Sequence, residues 1–342
     1  MAGWTTLVQA ETLAIGLNRS DLAIVDCRFS LLDPNAGENA YLASHLPGAV
    51  YAHLERDLSE MSPHGEGRHP WPSAEVFTAK LSRWGIGPTV QVVAYDNGDG
   101  AHAARLWFLL RMLGHEKVAV LDGGWARWTA LGLPVSSSPA TLADQFRAKY
   151  QAAQLSFDAS RLLGAEAVEA HLQQGGMLVD ARAASRFRGE EEPIDRIAGH
   201  VPGAINRPYS DNLADGRFKS PMQLADEFRA MLGERSPDQV VAMCGSGVTA
   251  CHHLLAMERA GDMMKAKQAH PAYSSFLKYY GTELNKRRHE LVMSGGGSEA
   301  LEWDSEETKG GARPRAWLRT KANSIEGGTS EVMLNVIAKR IL

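Results

Sequence analysis

The sequence predicts an α/β chain: two similarly built domains with parallel sheets flanked by helices, the second truncated, followed by an α-helical tail. Three observations predict it. Short apolar runs alternate with helical stretches from Trp4 onward, as in βα units. The second half repeats signatures of the first at matching intervals, as a duplicated domain does. After Gly261 the repeat stops, and neither the expected strand nor a second copy of VLDGGWARW follows.

Taken in order, residues 22–25 read as a buried strand closing at Asp26. Residues 75–84 put Phe77, Leu81 and Trp84 on one helix face, and 90–95 is another apolar strand. Residues 101–113, AHAARLWFLLRML, form a strongly apolar helix; 118–121 is a strand and 125–131 a last helix. This first domain spans 1–135. A small, polar linker covers 136–156, and the second domain spans 157–262. There Val179-Asp180-Ala181-Arg182 repeats Val25-Asp26-Cys27-Arg28, and HVPGAI from His200 repeats HLPGAV from His45. The repeat sets Met243-Cys244-Gly245-Ser246 opposite Tyr95-Asp96-Asn97-Gly98. The loop is duplicated and its cysteine is not, so the first domain is expected to form one wall of a site centred in the second.

That site is expected within VVAMCGSGVTA, residues 240–250. An apolar strand ends at Cys244, and the carboxyl edge of a parallel sheet is where ligands bind. Gly245 and Gly247 allow positive φ, so successive backbone N–H groups can curl around the sulfur. Such a nest, with the following helix N-terminus, stabilises an anion and lowers a thiol pKa. A strand-end cysteine is otherwise a small buried hydrophobe; the flanking glycines favour a thiolate nucleophile.

Composition narrows the classes. With 44% hydrophobic and 22% charged residues the chain is that of a globular protein. A net charge of −4 gives no reason to expect nucleic acid or an anionic membrane as partner. Three cysteines are too few for a disulfide framework and fit a reducing cytoplasm. Neither an export signal nor a run of membrane-spanning length is read.

With DCR, HLPGAV and DGGW in one half and DAR, RFRG, GHVPGAI and CGSGVTACHHLLAMERAG in the other, residues 4–261 resemble the tandem-domain rhodanese sulfurtransferases. Within that group, CGSGVT is similar to the 3-mercaptopyruvate enzymes; thiosulfate enzymes usually carry an Arg-Lys pair after the cysteine. Thiosulfate is a dianion that benefits from cations in the loop, so a neutral loop favours 3-mercaptopyruvate, with thiosulfate as the alternative donor.

The resemblance implies that Cys244 attacks the donor sulfur and becomes a persulfide as pyruvate or sulfite leaves. Cyanide, a small thiol or reduced thioredoxin then takes the outer sulfur in a ping-pong cycle. Gly245, Gly247, Val248 and Thr249 would hold the persulfide through loop N–H groups, Thr249 adding a hydroxyl. Arg186, in RFRGE, stands where the family places an arginine for the substrate carboxylate, and Arg196 is assigned as its second through an alignment gap. Ser246, His69 in GRHPWP and Glu55, where an aspartate is usual, would form a relay for the proton of the leaving enolate. His45, His200, Cys27 and Cys251 are expected to be structural, and Arg188 solvated. No cofactor or metal is implied. Phosphatases on related folds need Cys-x5-Arg, and position 250 is alanine.

Residues 263–342 carry a net charge of +4. Their LKYYGTELNKRRHELVM and WLRTKANSIEGGTSEVMLNVIAKRIL resemble the C-terminal helices of acyl-CoA dehydrogenases. In that family the stretch helps hold FAD and in some members supplies a glutamate base just before Gly-Thr. That position is Gly327 here, with Glu326 one residue away, and the parts that enclose flavin and acyl-CoA are missing. The tail is therefore expected to lack dehydrogenase activity. Three alternatives stay open: an inactive fusion, a sulfur-carrying or binding module, and an FAD-dependent activity in the tail. Truncation of the second domain is expected to expose apolar surface beside Cys244, which the tail's amphipathic helices could cap.

Overall fold

A computed structural model describes residues 3–60, 67–138, 150, 156–267, 273–298, 302–303, 305–306 and 308–323, and the side chains of these apart from 262–281. Most of the expected linker, and the tail's Glu326 and GGTSEV at 327–332, lie outside the described residues. The chain divides into two compact units, Met1–Met263 and Met264–Leu342.

Among the described residues the first unit holds two parallel sheets and a two-stranded antiparallel one. In one, β1 (Leu7–Val8), β2 (Leu22–Asp26), β3 (Ala49–Tyr51), β4 (Gln91–Tyr95) and β5 (Val118–Leu121) run parallel in the order β1-β5-β4-β2-β3. Alternate side chains enter two cores. Val92 and Ala94 join one around Trp107 and Leu110, while Val93 and Tyr95 join the other around Leu13 and Trp128. Burial on both faces makes these strands read as unbroken apolar runs. Between them come α1 (Ala10–Gly16), α2 (Ala36–Ala43), α3 (Leu54–Asp57), α4 (Ala74–Arg83), α5 (Ala101–Met112) and α6 (Gly124–Ala130). Helix α5 buries nearly every side chain, Arg105 included.

In the second domain α7 (Ala165–Gln173), β6 (Met177–Asp180), α8 (Ala184–Arg188) and β7 (Ile205–Asn206) come first. A two-residue hairpin, β8 (Leu213–Ala214) with β9 (Arg217–Phe218), precedes α9 (Pro221–Leu232), β10 (Val240–Met243) and α10 (Thr249–Lys267). Its parallel sheet is β10-β6-β7, the counterpart of β4-β2-β3. Counterparts of β5 and β1 are absent among the described residues, and β10 is half-buried where β4 is fully buried.

The duplication extends to side chains. Arg28 grips Asp26 with Nε and Nη2 and donates from Nη2 to Ser44 O at 2.7 Å. Arg182 does the same with Asp180 and Gly199 O, also at 2.7 Å. Each buried pair thus ties a strand end to the residue before the His-x-Pro-Gly-Ala turn. His45 donates to Tyr41 O and His200 to Phe187 O, both at 2.7 Å, so these histidines are structural as expected.

In the second unit α11 (Tyr273–Gly295) and α12 (Ala312–Asn323) pack together, with Lys321 paired to Glu290. Among the described residues no helix is long and apolar enough to cross a membrane.

Candidate active site

Sheet register fixes which loop residues correspond. Asp26 pairs with Tyr95 and Asp180 with Met243, so Cys244 takes the place of Asp96, one residue past the strand. In the first domain the Asp96 carboxylate accepts N–H bonds from Gly98, Gly100, His102 and Ala103, at 3.0, 3.0, 3.0 and 3.2 Å. Burial and neighbouring Asp99 raise its pKa against that cradle. In the second domain the cradle faces sulfur instead. Cys244 Sγ accepts from Gly247 N at 3.1 Å and, more weakly, from Ser246 N at 3.5 Å. Gly247, at φ 71°, turns its N–H inward, and a side chain there would be strained. The same turn of chain holds an internal anion in one domain and presents a half-buried thiol in the other.

The other two thiols are out of play. Cys27 is buried in the core, and burial pushes its pKa far up. Cys251 is buried in the first turn of α10, donates to Gly247 O at 3.0 Å, and is pushed up to about 12 by burial.

Two arginines and two acids line the loop. Arg186, in the middle of α8, donates to Glu192 from Nε at 3.1 Å and from Nη2 at 2.6 Å, and from Nη2 to Asp195 Oδ2 at 2.8 Å. Bonds from Arg186 and from the Asp195 and Ile194 amides hold Glu192 down at about 2. On the other side Arg68 Nε lies 3.0 Å from Asp195 Oδ1. A Cβ on Gly245 would sit 2.5 Å from Arg68 Nη2, 2.9 Å from Asp195 Oδ2 and 3.5 Å from Arg186 Nη2, so this array rests on the loop. Arg196 is exposed and makes no ion pair among the described residues.

The first domain supplies the wall. His69 is buried, with Nε2 3.7 Å from Glu55 Oε1. Burial, then the charges of Arg105 and Arg68, lower its pKa to about 4, so it is neutral at neutral pH. No hydrogen bond joins the Ser246 hydroxyl to His69 among the described residues; the structure brings together two members of the expected relay and not the third. Val248 is buried in the core, and Thr249 opens α10.

Beneath the loop lies Arg105, which sequence reasoning missed. Fully buried, it donates to Leu58 O at 3.2 Å, His69 O at 3.0 Å, Pro70 O at 3.3 Å and Gly247 O at 3.3 Å, and stacks 3.4 Å over Trp71. Burial lowers its pKa to about 10, still charged at neutral pH. The signal was legible in kind: an arginine amid the apolar residues of 101–113, as Arg105 and Arg111 both are, requires partners when buried. Arg68 and Asp195 were missed too, although Arg68 directly precedes His69.

Comparison with known proteins gives the family. The model of the Rhodanese-like domain matches residues 9–131 and 164–270. The model of the Acyl-CoA dehydrogenase C-terminal domain matches 247–342, which supports the acyl-CoA dehydrogenase-like tail. A probable 3-mercaptopyruvate sulfurtransferase of Pseudomonas aeruginosa is 48% identical over 260 residues, 75% of this chain and 89% of that protein. The human 3-mercaptopyruvate sulfurtransferase is 34% identical over 302 residues, 84% and 94% of the two chains. Among solved structures, the 3-mercaptopyruvate sulfurtransferase from Leishmania major superposes with a TM-score of 0.64 at 26% identity, covering 75% and 70% of the two chains. The chain therefore belongs to the tandem-domain rhodanese family of sulfurtransferases.

Proposed function

We propose that this enzyme moves sulfane sulfur from 3-mercaptopyruvate to a thiophilic acceptor through a persulfide on Cys244. One observation carries the reading: the Cys244 sulfur sits in the N–H cradle that in the other domain receives a carboxylate, with Gly247 N at 3.1 Å. A cradle built for an anion favours the thiolate and then the terminal persulfide sulfur.

Cys244 thiolate attacks the donor sulfur. A sulfur–sulfur bond forms, the carbon–sulfur bond breaks, and its electron pair leaves on carbon as the enolate of pyruvate, which takes up a proton. Neutral His69 can pass that proton only by accepting at one ring nitrogen and giving from the other, with Glu55 beside Nε2 and the Ser246 hydroxyl as the relay's third member, not hydrogen-bonded to the ring in this structure. An acceptor thiolate or cyanide then bonds to the outer sulfur, and Cys244 thiolate departs. Gly245, Gly247, Val248 and Thr249 frame the persulfide, and Arg186 meets the donor's carboxylate.

Thiosulfate is a second reading, favoured by the two guanidinium groups at a loop that is itself neutral. Reduced thioredoxin is the macromolecular acceptor in this reading, and three unpaired cysteines fit a reducing cytoplasm. We take 1–135 as the domain without a catalytic cysteine, 136–156 as linker, 157–262 as the catalytic domain and 263–342 as a tail without dehydrogenase activity. That tail predicts a colourless protein, and an absorbance spectrum with flavin bands would contradict it.

Sulfur-transfer assays with each donor, beside Cys244→Ser, test the reading. Wild type should turn over 3-mercaptopyruvate faster than thiosulfate, and the variant neither. Mass spectrometry after donor alone should add one sulfur atom per chain to wild type and none to the variant. A folded wild type that gains no sulfur would refute it.

A further inference from the structure

We propose that Arg68, on the first domain, is the second cation for the donor's anionic group, and that the Asp195 carboxylate occupies that place until the donor exchanges with it. The inference rests on the reading of Cys244 as the sulfur acceptor and supplies what that reading lacks. The arginine expected to partner Arg186 was Arg196, which is exposed and unpaired among the described residues. Arg68 arrives instead from the opposite domain, in the segment that carries His69.

The geometry is that of an occupied anion site. One carboxylate is shared by two guanidinium groups, Oδ1 lying 3.0 Å from Arg68 Nε and Oδ2 2.8 Å from Arg186 Nη2. Oδ2 would also lie 2.9 Å from a Cβ on Gly245, the residue after the nucleophile. Arg186 already has Glu192 as a fixed counter-ion through Nε and Nη2, so Asp195 is the carboxylate at its free side. Arg68 is less well matched. Its Nε–H is buried and aligned on no acceptor among the described residues, although Asp195 stands within ion-pair distance. A carboxylate placed a little differently would take that hydrogen as well as the charge.

Charge balance makes the exchange feasible. Arg68, Arg186, Glu192 and Asp195 sum to zero, so a monoanionic donor that replaces Asp195 leaves the site neutral. Asp195 also lies between α8 and β7, outside any helix or strand, and can turn away without breaking sheet or helix hydrogen bonds. Asp195 would thus set the donor's affinity by competition, and Arg68 would make that affinity depend on both domains.

The test uses pyruvate, which carries the carboxylate and no sulfur, to protect Cys244 of the full chain from alkylation by iodoacetamide. Arg68→Gln should weaken protection by about tenfold, the loss of one charge-assisted bond. Asp195→Asn should strengthen it by about threefold or more, and Arg196→Gln should match wild type. Protection by pyruvate that is unchanged in Arg68→Gln, lost instead in Arg196→Gln, no tighter in Asp195→Asn, or absent from wild type would overturn the proposal. Because the readout needs no turnover, a wild type that binds pyruvate yet transfers no sulfur would refute the proposed reaction and leave this site standing.

Discussion

A methyl group on Gly245 would meet Arg68 Nη2 at 2.5 Å and Asp195 Oδ2 at 2.9 Å, both at the far ends of side chains that can swing aside. Gly245→Ala is therefore expected to fold normally while displacing the charged array from the loop. Steady-state kinetics should show donor KM raised by about tenfold with a thermal midpoint within a few degrees of wild type; an unchanged KM would show that the array is not part of the donor site. His69 gives a second test at this scale. Its depressed pKa has burial as first cause and the charges of Arg105 and Arg68 as the next, so removing a charge must raise it. Imidazole NMR titration should find the Arg68→Gln value above the wild-type value of about 4 yet still below the ordinary 6.5, because burial remains.

At the scale of elements, one strand–loop–helix unit has been built twice and used for two purposes. Where the loop's N–H groups meet the Asp96 carboxylate the unit is closed; where they meet Cys244 it can accept sulfur. Helix α5 of the closed copy supports the open one, because Arg105 joins Gly247 O to the carbonyls of Leu58, His69 and Pro70. Arg105→Met would leave those buried acceptors without a charged donor. A loss of about 3 kcal/mol is expected in denaturant unfolding, with partial recovery in Arg105→Lys. Much of this unit was legible in the sequence. Unbroken apolar runs marked the strands because both sheet faces are covered, and the repeated Asp-x-Arg and His-x-Pro-Gly-Ala signatures set Cys244 opposite Asp96, as the sheet register does. Helix α9 went unread despite the Ser220–Gln223 capping box and buried Leu224, Phe228 and Leu232 at four-residue spacing. The partners of Arg68 and Arg105 were illegible for a deeper reason: each acts across the two domains, and no local period records which distant carbonyl or carboxylate a side chain will meet. Arg196 is matched only through an alignment gap, and the structure leaves it exposed while the turn through 192–195 presents Asp195 to the loop.

Across the first unit as a whole, the two rhodanese-like domains are joined through buried polar groups as well as apolar ones. Asn212 donates its two amide hydrogens to Nδ1 of His252, at 3.2 Å, and of His253, at 2.9 Å. The opposite ring nitrogens donate to Asp99 O of the first domain, at 2.9 Å, and to Arg207 O, at 2.5 Å. Tyr209 reaches Asp99, Phe218 N reaches Asp122, and Arg111 pairs with Glu258 across the same boundary. Every hydrogen in the Asn212 arrangement is used only while both imidazoles are neutral; protonating either would point an N–H at the amide's own hydrogens. Burial lowers the pKa of His252 to about 3 and of His253 to about 4, and His69 and His115 are lowered by burial as well. In the unfolded chain these groups titrate near 6.5, so below that pH the unfolded state binds protons that the folded state refuses. Their contribution is complete above pH 6.5 and is lost as pH falls toward 4, by up to about 1.4 kcal/mol per pH unit for each histidine. Ordinary carboxylates titrate mainly below pH 5, which leaves the interval from 6.5 to 5 to the histidines. Denaturant unfolding measured across that interval should show stability falling with pH. A His252→Asn, His253→Asn double variant should be less stable at pH 7, having lost the Asn212 arrangement, and should show a shallower decline, because two of the four imidazoles with lowered pKa are gone. A double variant with the wild-type slope would mean that the acid sensitivity arises away from the boundary between the two rhodanese-like domains.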